Sequence, residues 1–139
     1  MISIEDIFKQ LLLLNSNIRE IQKLATGNSE TSEIGELIAY PENADQRLLY
    51  DFAMDALDKL ESISCSIQYL QKPVRARGIL RANDRGRYEI EEQEWTCGRG
   101  IEVLIEDGWV HSRVEHNGKD YYIVGYPEIP MEGLHVRVR

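Results

Sequence analysis

The spacing of apolar residues changes once along this chain, at Pro73, and that change constrains the fold more than any other feature. Before Pro73, apolar residues recur at alternating steps of three and four, which is typical of the packing face of an α-helix. After Pro73, short runs of alternating apolar and polar residues are separated by turn residues, which is typical of antiparallel strands. The sequence therefore predicts an α+β protein with a helical part in residues 1–72 and a β part in residues 73–139.

Two long helices are predicted in the first part. The first covers about residues 3–26, with Ser3 as its N-cap, Asp6 completing a variant capping box, and Gly27 as the residue that stops it. The second covers about residues 44–71, after the capping residue Asn43. Two helices joined by one loop are expected to form an antiparallel hairpin. Their seam residues are Ile4, Ile7, Leu11, Leu14, Ile18, Ile21 and Ala25, and then Leu49, Ala53, Ala56, Leu60, Ile63, Ile67 and Leu70.

The apolar arc of each predicted helix is wider than a contact between two helices uses. Leu48, Phe52 and Leu57 flank the second seam, and burying such side chains is worth about 1.5–3 kcal/mol each. We expect a second copy to cover them, as a dimer that forms a four-helix bundle. The alternative is that the β part docks there. A short helix over residues 32–40 is also expected, as a cap on the open end of the hairpin.

The strongest turn signals in the β part are Asp107-Gly108 and Asn117-Gly118. They predict a three-stranded meander over residues 101–125, with Glu106 opposite Trp109 and Glu102 opposite Arg113. The inner face is expected to hold Ile101, Val103, Ile105, Val110, Val114, Tyr121 and Ile123. The outer face is expected to hold Glu102, Leu104, Trp109, His111, Arg113, Tyr122 and Val124.

Further strands are predicted on both sides of the meander. Residues 74–81 and 87–90 are expected to form a hairpin, followed by an exposed acidic connection at 91–94. After a 3₁₀ turn, a last strand is predicted at 134–138. A long hairpin, a tight meander, a 3₁₀ turn and a final strand follow one another in the order of a small SH3-like barrel.

The second half of the chain also resembles a known family. The residues that carry the resemblance are Arg77-Gly78-Ile79-Leu80, Gly86-Arg87-Tyr88-Glu89, Cys97-Gly98, Ile101-Glu102-Val103-Leu104, Gly108-Trp109, Arg113-Val114-Glu115, Tyr121-Tyr122 and Gly133-Leu134. Together they are similar to the bacterial domain of unknown function 5348. The resemblance implies a small cargo protein of bacterial mobile elements and implies no activity and no catalytic residues.

Composition limits the compartment and the partners. The formal net charge is −8, which disfavours nucleic acid as a general partner, because phosphate binding needs an excess of Lys and Arg. Cys65 and Cys97 are too few for a disulfide framework, and no segment has the length of a membrane span. We expect a reduced, cytoplasmic protein without a membrane anchor.

No catalytic motif, metal-ligand spacing or cofactor fingerprint is present, so we expect no enzyme, no metal and no cofactor. Two surfaces are candidates for binding. The first is a basic patch formed by Arg75, Arg77, Arg81, Arg85 and Arg87. The second is the aromatic outer face of the meander, formed by Leu104, Trp109, His111, Arg113 and Tyr122.

These observations favour a non-enzymatic protein-interaction module that self-associates through its helices and presents its β part to an unknown protein partner. The alternative is a nucleic-acid-binding accessory protein that uses both candidate surfaces.

Overall fold

The structure is a computed structural model that describes residues 1–28 and 38–139. Two helices are followed by antiparallel β-sheets, so the predicted α+β class is confirmed. The chain divides into two compact units, Met1–Gln71 and Lys72–Arg139. The short helix expected at residues 32–40 falls mostly on 29–37, which lie outside the described residues. Neither of the two described helices is long and apolar enough to cross a membrane.

Helix α1 spans Ile4–Ala25 and is capped at both ends. At its start, the Ser3 hydroxyl accepts the Asp6 backbone N–H at 3.1 Å, and the Asp6 carboxylate accepts the Ser3 N–H at 3.4 Å. This is the predicted capping box, which satisfies backbone donors that a helix start leaves unpaired. At its end, Gly27 has a φ of 61°, the left-handed conformation in which glycine ends a helix without strain.

Helix α2 spans Ala44–Gln71. The Asn43 side chain accepts the Asp45 N–H at 2.8 Å, so the predicted cap is confirmed. The two helices run antiparallel, because Leu11 near the start of α1 lines the same open cleft as Leu70 near the end of α2. The predicted hairpin is therefore present in the helical unit.

The predicted seams are only partly buried. In the described part of the helical unit, the buried apolar residues are Ile18, Ala25, Leu57 and Ile67, and Asn15 and Ser64 are buried with them. Most other seam residues are more than a third exposed. The physical reason is that a three-and-four seam has two rows, and a contact between two helices buries mainly one of them.

The β unit has eight strands in two antiparallel sheets. They are β1 (Ala76–Ile79), β2 (Arg81–Ala82), β3 (Tyr88–Ile90), β4 (Gln93–Trp95), β5 (Gly100–Ile105), β6 (Gly108–His116), β7 (Tyr121–Ile123) and β8 (His135–Val138). One sheet has the order β1-β8-β5-β6-β7, and the other has the order β2-β3-β4. The described strands do not form a closed barrel.

Two predictions about the first strands were wrong. The strand expected at 74–81 is interrupted at Leu80, which is fully buried, so β1 and β2 belong to different sheets. The acidic connection expected at 91–94 contains β4, which pairs with β3 in a tight hairpin. Glu91 and Glu92 turn the chain with φ values of 47° and 64°. Glutamate rarely takes this conformation, which is why the sequence does not indicate a hairpin here.

The register of the meander also differs from the prediction. Leu104 pairs with Trp109, so the loop between β5 and β6 consists of Glu106 and Asp107 rather than Asp107 and Gly108. Likewise His116 pairs with Tyr121, across a four-residue loop. Each pairing is shifted by two residues. Because side chains alternate with a period of two, each side chain stays on its predicted face of the sheet, although its cross-strand partner differs from the predicted one.

The core of the β unit lies between the two sheets. Ile101, Val103, Val114 and Ile123 of the predicted inner face are all buried. They pack with residues that the sequence did not assign to the core, above all Trp95, whose indole N–H donates to the Gly100 carbonyl at 3.2 Å. The opposite side of the five-stranded sheet is thereby left as its outer face.

Candidate functional site

Four of the five residues of the predicted binding surface lie together on the outer face of the five-stranded sheet. Leu104 on β5 is the cross-strand partner of Trp109 on β6. His111 and Arg113 follow Trp109 at every second position, so alternation places them on the same face. Trp109 is 38% exposed and can contact a partner.

The fifth residue, Tyr122, lies beyond this group. It is on β7, which pairs with the far end of β6, and its cross-strand partner is Glu115. Tyr122 is half-buried. The site is therefore centred on β5 and the first half of β6.

Of the residues on this face, Glu102 has the environment that differs most from the predicted one. We expected it in solvent opposite Arg113, but its cross-strand partners are His111 and Arg137, and it is only 4% exposed. Its carboxylate accepts Arg137 Nη2 at 3.0 Å and Arg139 Nε at 2.9 Å. Two arginines from the end of the chain therefore cover this carboxylate.

The ionisation of Glu102 follows from these contacts. Burial acts to raise the pKa of its carboxyl group, because a charge in a low-dielectric environment is unfavourable. The hydrogen bonds and charges of Arg137 and Arg139 outweigh burial, so the pKa of Glu102 lies below its ordinary value. Glu102 is consequently a carboxylate at neutral pH.

Arg137 also connects this ion pair to the exposed aromatic residue. Its guanidinium lies over the Trp109 ring, 4.3 Å from the ring centroid, a distance suited to a cation–π contact. Trp109, Arg137 and Glu102 thus form one contiguous cluster across β6, β8 and β5. The sequence contains a weak signal for this cluster. Arg137 and Arg139 alternate with the buried Val136 and Val138, so the two arginines share the outer face.

The predicted basic patch is not one surface, because the break at Leu80 separates its members. Arg85 and Arg87 pair with Glu94 at 3.3 Å and 2.8 Å, and Arg81 pairs with Glu132 at 3.4 Å. These three arginines are thus partnered by carboxylates of the β unit itself.

The hydrogen bond from Arg87 is the largest cause of a lowered pKa at Glu94, and the same contact raises the pKa of Arg87.

The other two arginines of that patch belong to the outer face of the five-stranded sheet. Arg77 is the cross-strand partner of Arg137. It is exposed and forms no ion pair with any described residue. Arg75 lies two residues earlier and donates from Nε to the Arg139 carbonyl at 3.2 Å. The basic residues of this outer face therefore come from both ends of the β unit.

The helical unit carries a second candidate surface, which is apolar. Of the predicted self-association residues, Leu48 is 59% exposed and Phe52 is 71% exposed. Leu57 is only 6% exposed, so its assignment to this surface was wrong. It lies one heptad before the buried Ser64, on the side of α2 that packs inside the unit. The apolar surface is instead extended by one row of seam residues on each helix.

No metal centre is formed by the described part of the chain, in which no group of three or more His, Cys, Asp and Glu side chains could hold an ion. Cys65 and Cys97 are both exposed and are not bonded to each other.

The comparisons with known proteins concern the β unit. No curated protein and no solved structure matches the chain. A family model does match, and it covers every strand from β2 to β8 together with the end of β1. The resemblance seen in the sequence is thereby confirmed: residues 78–138 match the domain of unknown function DUF5348.

Proposed function

We propose that the protein is a non-enzymatic interaction module whose helical unit pairs with that of a second copy. The observation that carries this proposal is an exposed row of seam residues on each helix. On α1 the row is Ile7, Leu14 and Ile21, which are 48%, 45% and 46% exposed. On α2 the large members are Leu49, Ile63 and Leu70, which are 69%, 42% and 49% exposed.

Both rows lie on one side of the hairpin. In each helix the exposed row precedes the more buried row by four residues, as Leu14 precedes Ile18 and Ile63 precedes Ile67. The two helices are antiparallel, so the same rotational offset places both rows on the same side. A cleft of 340 Å³ lies between the two helices, where Ile63 and Leu70 of the α2 row meet Phe8 and Leu11 of α1.

The area of this surface fits a dimer. Together with Leu48 and Phe52 the two rows offer eight large apolar side chains. Burying such a side chain is worth at least about 1.5 kcal/mol, which at about 25 cal/mol per Å² corresponds to roughly 60 Å² each and to on the order of 500 Å² per copy. About 60% of an interface area is apolar, so the complete interface would be near the ~800 Å² per partner of a stable complex. A seam with one row inside the hairpin and one outside is what a four-helix bundle requires.

Light scattering on a size-exclusion column tests the proposal. At tens of micromolar we expect twice the chain mass of 16.1 kDa. Leu14→Glu places a charge in the exposed row and is expected to give a monomer. Leu13→Glu is the matched control, because Leu13 is 65% exposed on another side of the same helix, and this variant should remain a dimer.

Circular dichroism would show that both variants keep their helices. A monomeric parent protein, or an equal loss of mass in both variants, contradicts the proposal.

For the β unit we propose an SH3-like arrangement that presents its outer face to a partner. The support is the order of the strands and a single core between the two sheets, with Trp95 and Leu80 fully buried in it. We also propose that the protein acts in the cytoplasm, which its exposed Cys65 and Cys97 support.

A further inference from the structure

The outer face of the five-stranded sheet has a charge that differs from the rest of the chain. It carries five arginines and two glutamates, whereas the whole chain has 16 basic and 24 acidic residues. The seven residues are Arg75, Arg77, Arg113, Arg137 and Arg139, with Glu102 and Glu115. An excess of cations on one face attracts an anionic partner and excludes a cationic one.

The side chains of this face form two parallel rows across the strands. The first row runs through Arg77, Arg137, Glu102 and His111, each the cross-strand partner of the next, and three of these four residues are Arg or Glu. Two residues further along the strands lies a row with apolar members, formed by Ile79, His135, Leu104 and Trp109. Residues two apart on a strand are separated by about 7 Å. The face thus offers a cationic contact and an apolar contact at that separation.

Arg137 is held in place before any ligand arrives. Its Nε and Nη2 donate to Glu102 at 3.3 Å and 3.0 Å, and its guanidinium carbon lies over the Trp109 ring, 4.3 Å from the centroid. Its Nη1 has no hydrogen-bond partner among the described residues, nor has the guanidinium of the adjacent Arg77. A carboxylate placed between Arg77 and Arg137 would contact two guanidinium groups. Ordering the Arg137 group on binding costs little entropy, because it is already held by Glu102 and Trp109.

We propose that this face binds an acidic peptide segment of a partner protein. One Asp or Glu carboxylate of the segment lies between Arg77 and Arg137, and an apolar side chain two positions away lies against Trp109, Leu104 or Ile79. The aliphatic members of the second row favour a peptide over a nucleic acid, whose bases stack on aromatic rings. The proposal rests on the function as an interaction module, but it does not depend on self-association.

The test uses the full chain and a fluorescein-labelled peptide of repeating Glu-Gly-Leu-Gly, which sets a carboxylate and an apolar side chain two positions apart. Its counterpart with Gln in place of Glu is the ligand control. Fluorescence anisotropy should show that the Glu peptide binds about tenfold or more tightly than the Gln peptide, because a hydrogen bond to a charged group is strong.

Two variants locate the site. Arg77→Gln is expected to weaken binding about tenfold, and this exposed residue has no contact whose loss would unfold the sheet. Arg85→Gln removes the same charge from a turn of the other sheet, where Arg85 is 74% exposed, and should bind the peptide like the parent protein. The titration is repeated in Leu14→Glu, so that loss of self-association and loss of peptide binding are observed separately.

Equal binding of the Glu and Gln peptides would overturn the proposal, and so would equal affinity of Arg77→Gln and Arg85→Gln. An oligothymidylate that binds more tightly than the peptide, with an affinity that both variants reduce, would instead assign the basic residues to nucleic acid.

Discussion

Replacing Glu102 by Gln tests the buried ion pair most directly, because it removes the charge and keeps the shape. The carboxylate is 4% exposed and is contacted by Arg137 and Arg139, whose side chains are 18% and 16% exposed. Removing one partner of a buried pair costs about 3–5 kcal/mol, since the remaining charge is uncompensated. Both arginines keep some contact with water, so we expect the β unit to lose about 2–3 kcal/mol.

Urea denaturation followed by tryptophan fluorescence measures this loss. Both tryptophans of the chain, Trp95 and Trp109, lie in the β unit, so their fluorescence reports the unfolding of that unit alone. With a slope of about 1 kcal/mol per M, the midpoint should fall by about 2–3 M. Glu106→Gln, at an exposed position of the β5–β6 loop, is the control and should shift the midpoint little. Equal midpoints for Glu102→Gln and Glu106→Gln would refute the reasoning.

The pH dependence supplies a second readout for the same residue. The pKa of Glu102 is lowered in the folded protein, so its contribution is complete above the unfolded pKa of about 4.3. It is lost as the pH falls through the folded pKa. The difference in the free energy of unfolding between the parent protein and Glu102→Gln should therefore be constant from neutral pH to about pH 5 and should shrink in stronger acid.

Three further predictions concern other parts of the molecule. Asn15→Leu should stabilise the helical unit by about 1 kcal/mol, measured by circular dichroism, because Asn15 Oδ1 is buried and has no hydrogen-bond partner among residues 1–28 and 38–139. Val114→Ala should destabilise the β unit by about 2 kcal/mol in the urea assay, because Val114 is fully buried and truncation leaves a cavity. Arg87→Gln should raise the pKa of Glu94 towards its ordinary value, since the Arg87 hydrogen bond is the main cause of the lowered pKa; an NMR titration of the Glu94 carboxyl carbon measures it.

The features that could be predicted from the sequence are those that depend on neighbouring residues. The capping box of Ser3 and Asp6 and the cap at Asn43 are local hydrogen bonds, and both helices begin where these residues place them. The inner face of the meander could be predicted for a different reason. Alternation fixes which side chains share a face whatever the exact register, so Val103 and Val114 were assigned correctly although their strands are shifted.

The features that could not be predicted depend on residues far apart in the chain. The burial of Glu102 is caused by Arg137 and Arg139, which follow it by 35 and 37 residues. The loop between β5 and β6 is a local exception. It begins at Glu106, whose φ of 53° few glutamates adopt, whereas Asp107-Gly108 predicts a loop that begins one residue later. The cluster at the centre of the candidate site was missed because its members meet only in the folded sheet.

The helical seams show why a periodic pattern identifies a surface without saying what covers it. Steps of three and four place Leu14 and Ile18 on neighbouring rows of α1, and the sequence treats both rows alike. The structure separates them, since Ile18 is 1% exposed and Leu14 is 45% exposed. The contact between the two helices explains why the buried row is apolar. It does not explain why the exposed row is apolar, because a helix face that contacts only water is normally polar. A chain that keeps both rows apolar is therefore expected to bury the second one against another helix pair, and the adjacent residues Leu13 and Leu14 allow that expectation to be tested within a single helical turn.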